Sequence, residues 1–438
     1  MKYIYTLIAV VSSSLLMGQA ELTLPKAIAI GMENNFQIKI AEQYIEIAEN
    51  NDSWARAGRT PTIDLTGSFT NNMTKDNNPA SFLQGTFYNG SLGASANANY
   101  LVYAGGRIRV AKDQLSVATT RERLNQSSAI HDLMRQIYQQ YYDVLLQKER
   151  NLVLRNNYDL SKDRLAYENT KKAYGASNSF NITQFESALL SDSLNLINQQ
   201  QLIAIAERTL YNTLNIAGKV DYQYPERLSV TEETIDVPSL KENLSESNYT
   251  LKSLDMVASI NRLNTKLAQA AKRPTVSLNA GVGFAENAFK FFGENPNTGM
   301  DVPLLFSNRI TGSVGAQANW NLYDGNVRNT DIQNAKIQEE IDLMTIAEAE
   351  QNLSNQVDIL ASNYQNQRDV LALTDQQIQL ASTNLEIALE RFKAGQITSL
   401  DYRNLQSQYL NAAFAKVNAI YNLIITKSEI DYLVGKYE

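Results

Sequence analysis

The sequence predicts a mixed α and β membrane protein built from two structural repeats, with four strands per chain and unusually long coiled-coil helices. Three observations predict it. An internal repeat holds a constant offset, two strand pairs carry one apolar and one polar face, and two stretches of about 70 residues contain no proline.

The repeat comes first because it organises everything else. Ala98-Asn99-Tyr100-Leu101-Val102-Tyr103-Ala104-Gly105 aligns with Ala318-Asn319-Trp320-Asn321-Leu322-Tyr323-Asp324-Gly325. The same spacing carries Tyr174-Gly175 onto Ala394-Gly395, Ser179 onto Ser399, and Leu210 onto Ile430. Upstream the spacing shortens, pairing Asn35-Phe36 with Asn248-Tyr249 and Pro61-Thr62 with Pro274-Thr275. The chain therefore divides into a first repeat, 21–217, a polar linker, 218–236, and a second repeat, 237–438.

Residues 1–20 precede the first repeat. Lys2, an apolar run from Ile4 to Met17, and the small residues Gly18 and Ala20 form a secretory signal peptide, with cleavage expected after Ala20. No later stretch is long and apolar enough for a transmembrane helix.

Each repeat opens with a helix, about 24–57 and 239–271, rich in Ala, Leu, Ile, Glu and Gln. Pro61 and Pro274 end them, because the residue before proline is pushed out of the α region. After each proline the period becomes two. Ile63, Leu65 and Phe69 alternate with Asp64, Thr66 and Thr70, and Val276, Leu278, Val282 and Phe284 alternate with small or polar residues. A second strand in each repeat places Leu92, Tyr100 and Val102, or Val314, Trp320 and Leu322, on one face. Loops at about 71–88 and 286–308 join the strands into hairpins.

The long helices run from Arg107 to Ala173 and from Asn326 to Ala394, each on the order of 100 Å at 1.5 Å per residue. Ile130, Met134, Ile137, Tyr141 and Val144 step by three and four, the spacing of a coiled-coil seam. Gly175 and Gly395 suit left-handed caps, and Ser179 and Ser399 are expected to cap shorter return helices, about 180–216 and 399–435. A return helix and a starting helix together match one long helix, so the two are expected to stack end to end beside it.

Four strands cannot close a barrel, and an open edge in lipid leaves backbone groups unpaired. Copies of the chain must supply the closure, and three copies give twelve strands. Tyr100, Tyr103, Trp320 and Tyr323 fall at the strand ends nearest the long helices, where interface aromatics would meet the membrane surface.

Composition excludes other classes. Across 438 residues the net charge is −7, which argues against a nucleic-acid partner, and there is no cysteine. His131 is the only histidine, so no histidine cluster can hold a metal. The carboxylate pairs Glu339/Asp342 and Glu348/Glu350 read as a solvated helix face. No nucleophile elbow or phosphate loop is present, so neither an enzyme nor a cofactor is expected.

The duplicated plan and three local patterns resemble the TolC-like outer-membrane efflux protein (outer membrane factor) family. The patterns are Arg59-Thr60-Pro61 with Lys272-Arg273-Pro274, then Trp320 to Gly325 running on to Arg328, and the turn from Arg391 to Asp401. The resemblance implies a homotrimer whose 12-stranded β-barrel is continuous with an α-helical coiled-coil barrel. It implies a location in the cell outer membrane, in contact with its lipid, with a large periplasmic portion. It also implies a passive efflux channel served by a periplasmic adaptor (membrane fusion) protein and an inner-membrane transporter. The adaptor-contacting tips would be Tyr174, Gly175, Ser179, Ala394, Gly395 and Ser399, and Asp401 would form a pore constriction, although Asn404 departs from the family's second acid. The alternative is a non-conducting structural coiled-coil protein of the periplasm.

Overall fold

The computed structural model describes residues 21–80, 84–218, 222–230, 233–294 and 299–436. The expected signal peptide, 1–20, lies outside the described residues, as do parts of the linker.

The elements follow the expected order. Helices α1 (Leu24–Asn34) and α2 (Phe36–Asn51) precede strands β1 (Thr62–Asp76) and β2 (Gly85–Ala104). Then come α3 (Arg107–Ala173) and α4 (Ser179–Thr213). The short helices α5 (Val237–Glu242) and α6 (Leu244–Ser247) lead into α7 (Tyr249–Ala270). Strands β3 (Thr275–Phe292) and β4 (Leu305–Asn319), α8 (Val327–Lys393) and α9 (Ser399–Leu433) complete the chain.

The starting helices are broken where the sequence suggested continuity, and asparagine breaks both. Asn35 and Asn248 are the residues the repeat aligns. Asn248 Oδ1 accepts from the N–H groups of Thr250 and Leu251 at 2.9 and 3.2 Å, which caps α7. Its Nδ2 donates to Leu433 O, the last carbonyl of α9, at 3.0 Å. Asn35 repeats the arrangement, accepting from Gln37 N at 2.8 Å and donating to Thr213 O, the last carbonyl of α4, at 3.1 Å. One side chain thus starts a helix and satisfies the end of another, and places those ends in direct succession. Asn248 is 7% exposed. Asn248→Ala should therefore cost about 2–3 kcal/mol, a lost cap plus an orphaned carbonyl. Thermal unfolding in detergent would read it, with a smaller loss for the more exposed Asn35→Ala.

Contacts divide the chain into two compact units, each drawing on both halves of the sequence. The first comprises Met1–Glu42, Leu124–Lys252 and Glu348–Glu438, and its described residues are helical apart from their connections. Its main core contains the expected α3 seam. Ile137, Tyr141 and Val144 are fully buried with Leu210 and Leu214 of the α4 end, and Ile130 is partly buried against them. The linker region, expected to be polar, sends Tyr222, Tyr224 and Leu228 onto this core. A second core joins α5, α6, α8 and α9 around Val357, Tyr364, Leu423 and Ile430.

The second unit comprises Gln43–Arg123 and Ser253–Ala347 and contains the sheet. Its strands form an antiparallel meander in the order β1-β2-β3-β4. α2 stops at Asn51 rather than near 57, because Asn51 and Ser53 turn their side chains to Arg56, accepting from its Nε and N at 3.1 and 3.2 Å. The hairpin connections, 77–84 and 293–304, are shorter than expected. Ladder pairing needs only backbone groups, so the polar residues Asn71, Asn72, Glu286 and Asn287 continue the strands. β4 ends at Asn319, short of the expected Leu322, because its partner strand begins at Thr275, directly after Pro274.

Candidate functional site

Register settles which residues share a face of the sheet. Ile63, Leu65 and Phe69 lie opposite Ala98, Ala96 and Leu92. Those rows continue through Ala280 and Val282, and beside them Ala94 meets Phe284, which meets Ile310. Ala280 meets Val314. Nearer the helices, Tyr100 pairs with Leu278 and Tyr103 with Val276. The result is an apolar face about six rows deep, with its first polar members, Glu286 and Asn308, in the last row. At about 6.7 Å per row and a tilt of ~40°, such a band spans about 25 Å, the height of an outer-membrane barrel's apolar belt. The opposite face carries Asp64, Thr66, Ser95, Asn97, Gly281, Thr311 and Ser313, which are polar or small throughout.

Four aromatics were expected at the strand ends nearest the long helices. Tyr100 and Tyr103 occupy the end of β2, where strict alternation would put them on opposite faces. A bulge between Leu101 and Tyr103 leaves Val102 unpaired and returns Tyr103 to the side of Tyr100. Val102, expected on that face, drops out of the ladder instead. Trp320 and Tyr323 follow β4 rather than belonging to it. Trp320 Nε1 donates to Lys272 O at 3.0 Å, and Tyr323 is 84% exposed. Sequence reasoning passed over Trp54, whose ring lies 4.8 Å from the Arg59 guanidinium just before β1. A tryptophan seven places before Pro61 was the available signal.

At the helical turns, Gly175 and Gly395 both adopt φ of +71°, with open space where a Cβ would stand. Backbone conformation, not room, therefore demands glycine. Ala176 N donates to Lys171 O at 2.8 Å and Gln396 N to Arg391 O at 2.9 Å, so both long helices end in Schellman motifs. Tyr174, Phe180 and Leu400 project from the turns, 84%, 68% and 60% exposed. Beneath them Phe185, Phe392, Tyr402 and Leu385 form a small core. Ala394 follows the last residue of α8.

The expected caps move by one residue. Asn178 and Thr398, not Ser179 and Ser399, cap the return helices, accepting from Asn181 N at 2.9 Å and Asp401 N at 3.2 Å. The serines are instead the first helical residues. Ser399 Oγ donates to Gln184 Oε1 at 2.6 Å, and Ser179 Oγ accepts from Lys172 Nζ at 3.3 Å. In α9 the cap falls one step earlier because Thr398 puts the acid Asp401 at the third position after it, as a capping box requires.

Asp401 completes that box. Its Oδ2 accepts from Thr398 Oγ1 at 2.7 Å and from Thr398 N at 3.0 Å. The hydroxyl first, and the backbone N–H second, hold its carboxyl below the usual carboxylate value. The first copy places Asn181 there, so the box is confined to α9.

A polar cluster absent from sequence reasoning ties α3, α4 and α9 together. Arg403 makes a two-pronged ion pair with Asp192, Nη2 to Oδ1 at 2.7 Å and Nη1 to Oδ2 at 2.8 Å. Ser161 Oγ donates to Asp192 Oδ2 at 2.6 Å, and Gln406 Nε2 donates to Asn157 Oδ1 at 2.9 Å and Ser161 Oγ at 3.0 Å. Asp192, Asn157, Ser161 and Gln406 are each 1% exposed. Among the described residues no group of His, Cys, Asp or Glu side chains could hold a metal ion, and no helix is long and apolar enough to cross a membrane.

Known proteins supply the context for this geometry. The family model described as outer membrane efflux protein matches residues 30–215 and 246–436. No curated protein matches the sequence. Among solved structures, the chain resembles CusC, whose structures concern transmembrane channel formation, with a TM-score of 0.75 and 15% identity over 94% of this chain and 92% of that one. The outer membrane channel CmeC of Campylobacter jejuni gives a TM-score of 0.75 and 16% identity, covering 94% and 85%. The outer membrane protein VceC of Vibrio cholerae gives 0.70 and 16%, covering 94% and 96%. At these identities the solved structures establish the shared fold, long helices with four antiparallel strands per chain, while the family model spans most of the sequence. The chain belongs to the outer membrane efflux protein family.

Proposed function

We propose that this chain is the outer-membrane subunit of a tripartite export system. As a homotrimer it forms a passive exit duct for substrates delivered by an inner-membrane transporter through a periplasmic adaptor protein. One observation carries the reading: a two-faced sheet whose outermost strands, β1 and β4, both lack an outer partner among the described residues. An even-numbered meander leaves those two edges antiparallel to each other, and each is 15 residues long. β4 of one copy can therefore pair with β1 of the next, and three copies give a closed twelve-stranded barrel with its apolar face in lipid and its polar face inward.

The remaining assignments follow from that reading. Residues 1–20 act as the export signal, and 21–217 and 237–438 are copies of one unit joined through 218–236. Tyr100, Tyr103, Trp320 and Tyr323 sit at the periplasmic membrane interface. The turns Tyr174–Ser179 and Ala394–Ser399 meet the adaptor, with Tyr174, Phe180 and Leu400 as anchors of the kind that dominate interfaces. Asp401 contributes three carboxylates, one per chain, to the constriction at that end. The protein has no reaction to catalyse, and energy for transport comes from the partner.

Extraction from outer membranes in detergent, with mass determination and single-particle imaging, tests the core of the proposal. A trimer enclosing an axial channel is expected. A particle that is water-soluble, or that lacks the channel, would favour the non-conducting coiled-coil protein instead. Asp401→Ala should raise leak conductance or alter cation block in planar bilayers, and unchanged traces would remove Asp401 from the constriction. Acid has its own signature. A carboxyl held low supports the start of α9 above pH about 4, and that support is lost as pH falls through its lowered value.

A further inference from the structure

Near the hairpin ends, the inward face of the sheet gains large apolar side chains. From Asp64 to Asn287 this face is polar or small, with Asp64 and Arg309 as its charged members. In the last two rows it carries Phe87 paired with Phe291, and Phe289 paired with Asn89 and Leu305. The Phe87 and Phe289 rings lie 6.2 Å apart between centroids. Phe291 is 4% exposed. The hairpin backbone crosses directly over its ring, since a Cβ at Gly85 or Gly293 would come within 3.0 or 2.8 Å of it. At the same depth the outward face is mixed, with Ala288 paired to Phe306 and Tyr88 between Met73 and Lys290, and alternation puts these phenylalanines on the opposite, inward side.

We infer that Phe87, Phe289, Phe291 and Leu305 form an apolar collar at the outer mouth of the duct, which restricts entry of water-borne solutes from outside. This rests on the channel reading above. At ~4.8 Å between strands and a tilt of ~40°, a twelve-stranded wall stands about 12 Å from the axis. Phe87 and Phe289 of three chains place six rings at that wall within two rows, while Phe291 packs under the hairpin backbone beside them. An apolar ring in an otherwise wetted passage opposes passage of hydrated solutes by dewetting. An exported apolar or amphipathic substrate would cross it at less cost than a hydrated ion, which makes the collar a rectifying filter at the exit.

The chain has no cysteine, so single thiols report access without background. Ser95→Cys lies on the polar face inside the collar, Met300→Cys in the hairpin connection outside it, and Ile310→Cys on the apolar face. Each would be exposed on intact cells to a bulky, membrane-impermeant maleimide, in the native collar and with Phe87→Ser plus Phe289→Ser. The Ser95→Cys rate should rise about tenfold when the collar is made polar, while Met300→Cys reacts equally in both. Because paired substitutions in a small cluster can disturb folding, Leu305→Asn, on the half-exposed edge strand, serves as a second opening variant in chains shown to be trimeric. Equal Ser95→Cys rates with and without these changes overturn the collar and leave the duct intact, assigning the rings to local packing. A Ser95→Cys thiol inert throughout while Ile310→Cys reacts would mean that the polar face is not the lumen, and overturns both.

Discussion

Val314→Arg should abolish assembly in the outer membrane, whereas Ser313→Arg, one residue away, should leave trimers intact. The two side chains leave β4 on opposite faces. Val314 pairs with Ala280 in the third of six apolar rows, near the middle of the belt, and Ser313 pairs with Gly281 on the polar face. An arginine at the bilayer midplane of a barrel costs about 2–4 kcal/mol, which three copies raise to about 6–12 kcal/mol per trimer. A lumen-facing arginine remains hydrated and incurs little of that cost. Heat-modifiable migration of membrane-extracted protein would separate the outcomes. Equal assembly of both variants would mean that the apolar face is not in lipid, and loss of both would mean that β4 tolerates no bulk on either side.

That contrast depends on alternation, which was the most legible feature of the sequence. Ile63, Leu65 and Phe69 stand against Asp64, Thr66 and Thr70, and the structure pairs them as the pattern requires. The long helices were equally plain, because nothing between Arg107 and Ala173 can break one. The sequence was less informative wherever one residue performs two tasks. Asn35 and Asn248 look like ordinary polar members of a helix. Their role as breaks appears only once the carbonyls of Thr213 and Leu433 are beside them in space. The bulge that realigns Tyr103 leaves no mark in composition, since any residue can occupy Val102's place.

The site divides in the same way. The turn glycines were visible because capping is local, and only the identity of the caps, Asn178 and Thr398, was misplaced by one position. The collar was obscured because Phe87, Phe289, Phe291 and Leu305 fall in the stretches read as loops, 71–88 and 286–308, and become strand residues only once the ladder register is known. The Arg403–Asp192 pair was invisible for a different reason. Its members are more than 200 residues apart, and neither neighbourhood resembles a motif.

That ion pair carries the second large effect. Arg403→Ala should lower the stability of the helical unit by about 3 kcal/mol, because it strands a carboxylate that is 1% exposed with only the Ser161 hydroxyl as its remaining partner described here. The reverse change, Asp192→Ala, should cost less. The Arg403 side chain retains 26% of its exposure and can turn to water. Replacing both partners, Arg403→Met with Asp192→Leu, should recover most of the loss, since an apolar pair of similar volume avoids desolvating two charges. Ser161 and Gln406 set the limit of that recovery, because their buried hydrogen bonds run through the same cluster. Thermal unfolding of the detergent-extracted protein would rank the four forms. If the double variant were no more stable than Arg403→Ala, the cluster would be acting as one inseparable network, and its polarity would be a requirement for joining α3, α4 and α9 rather than a replaceable contact.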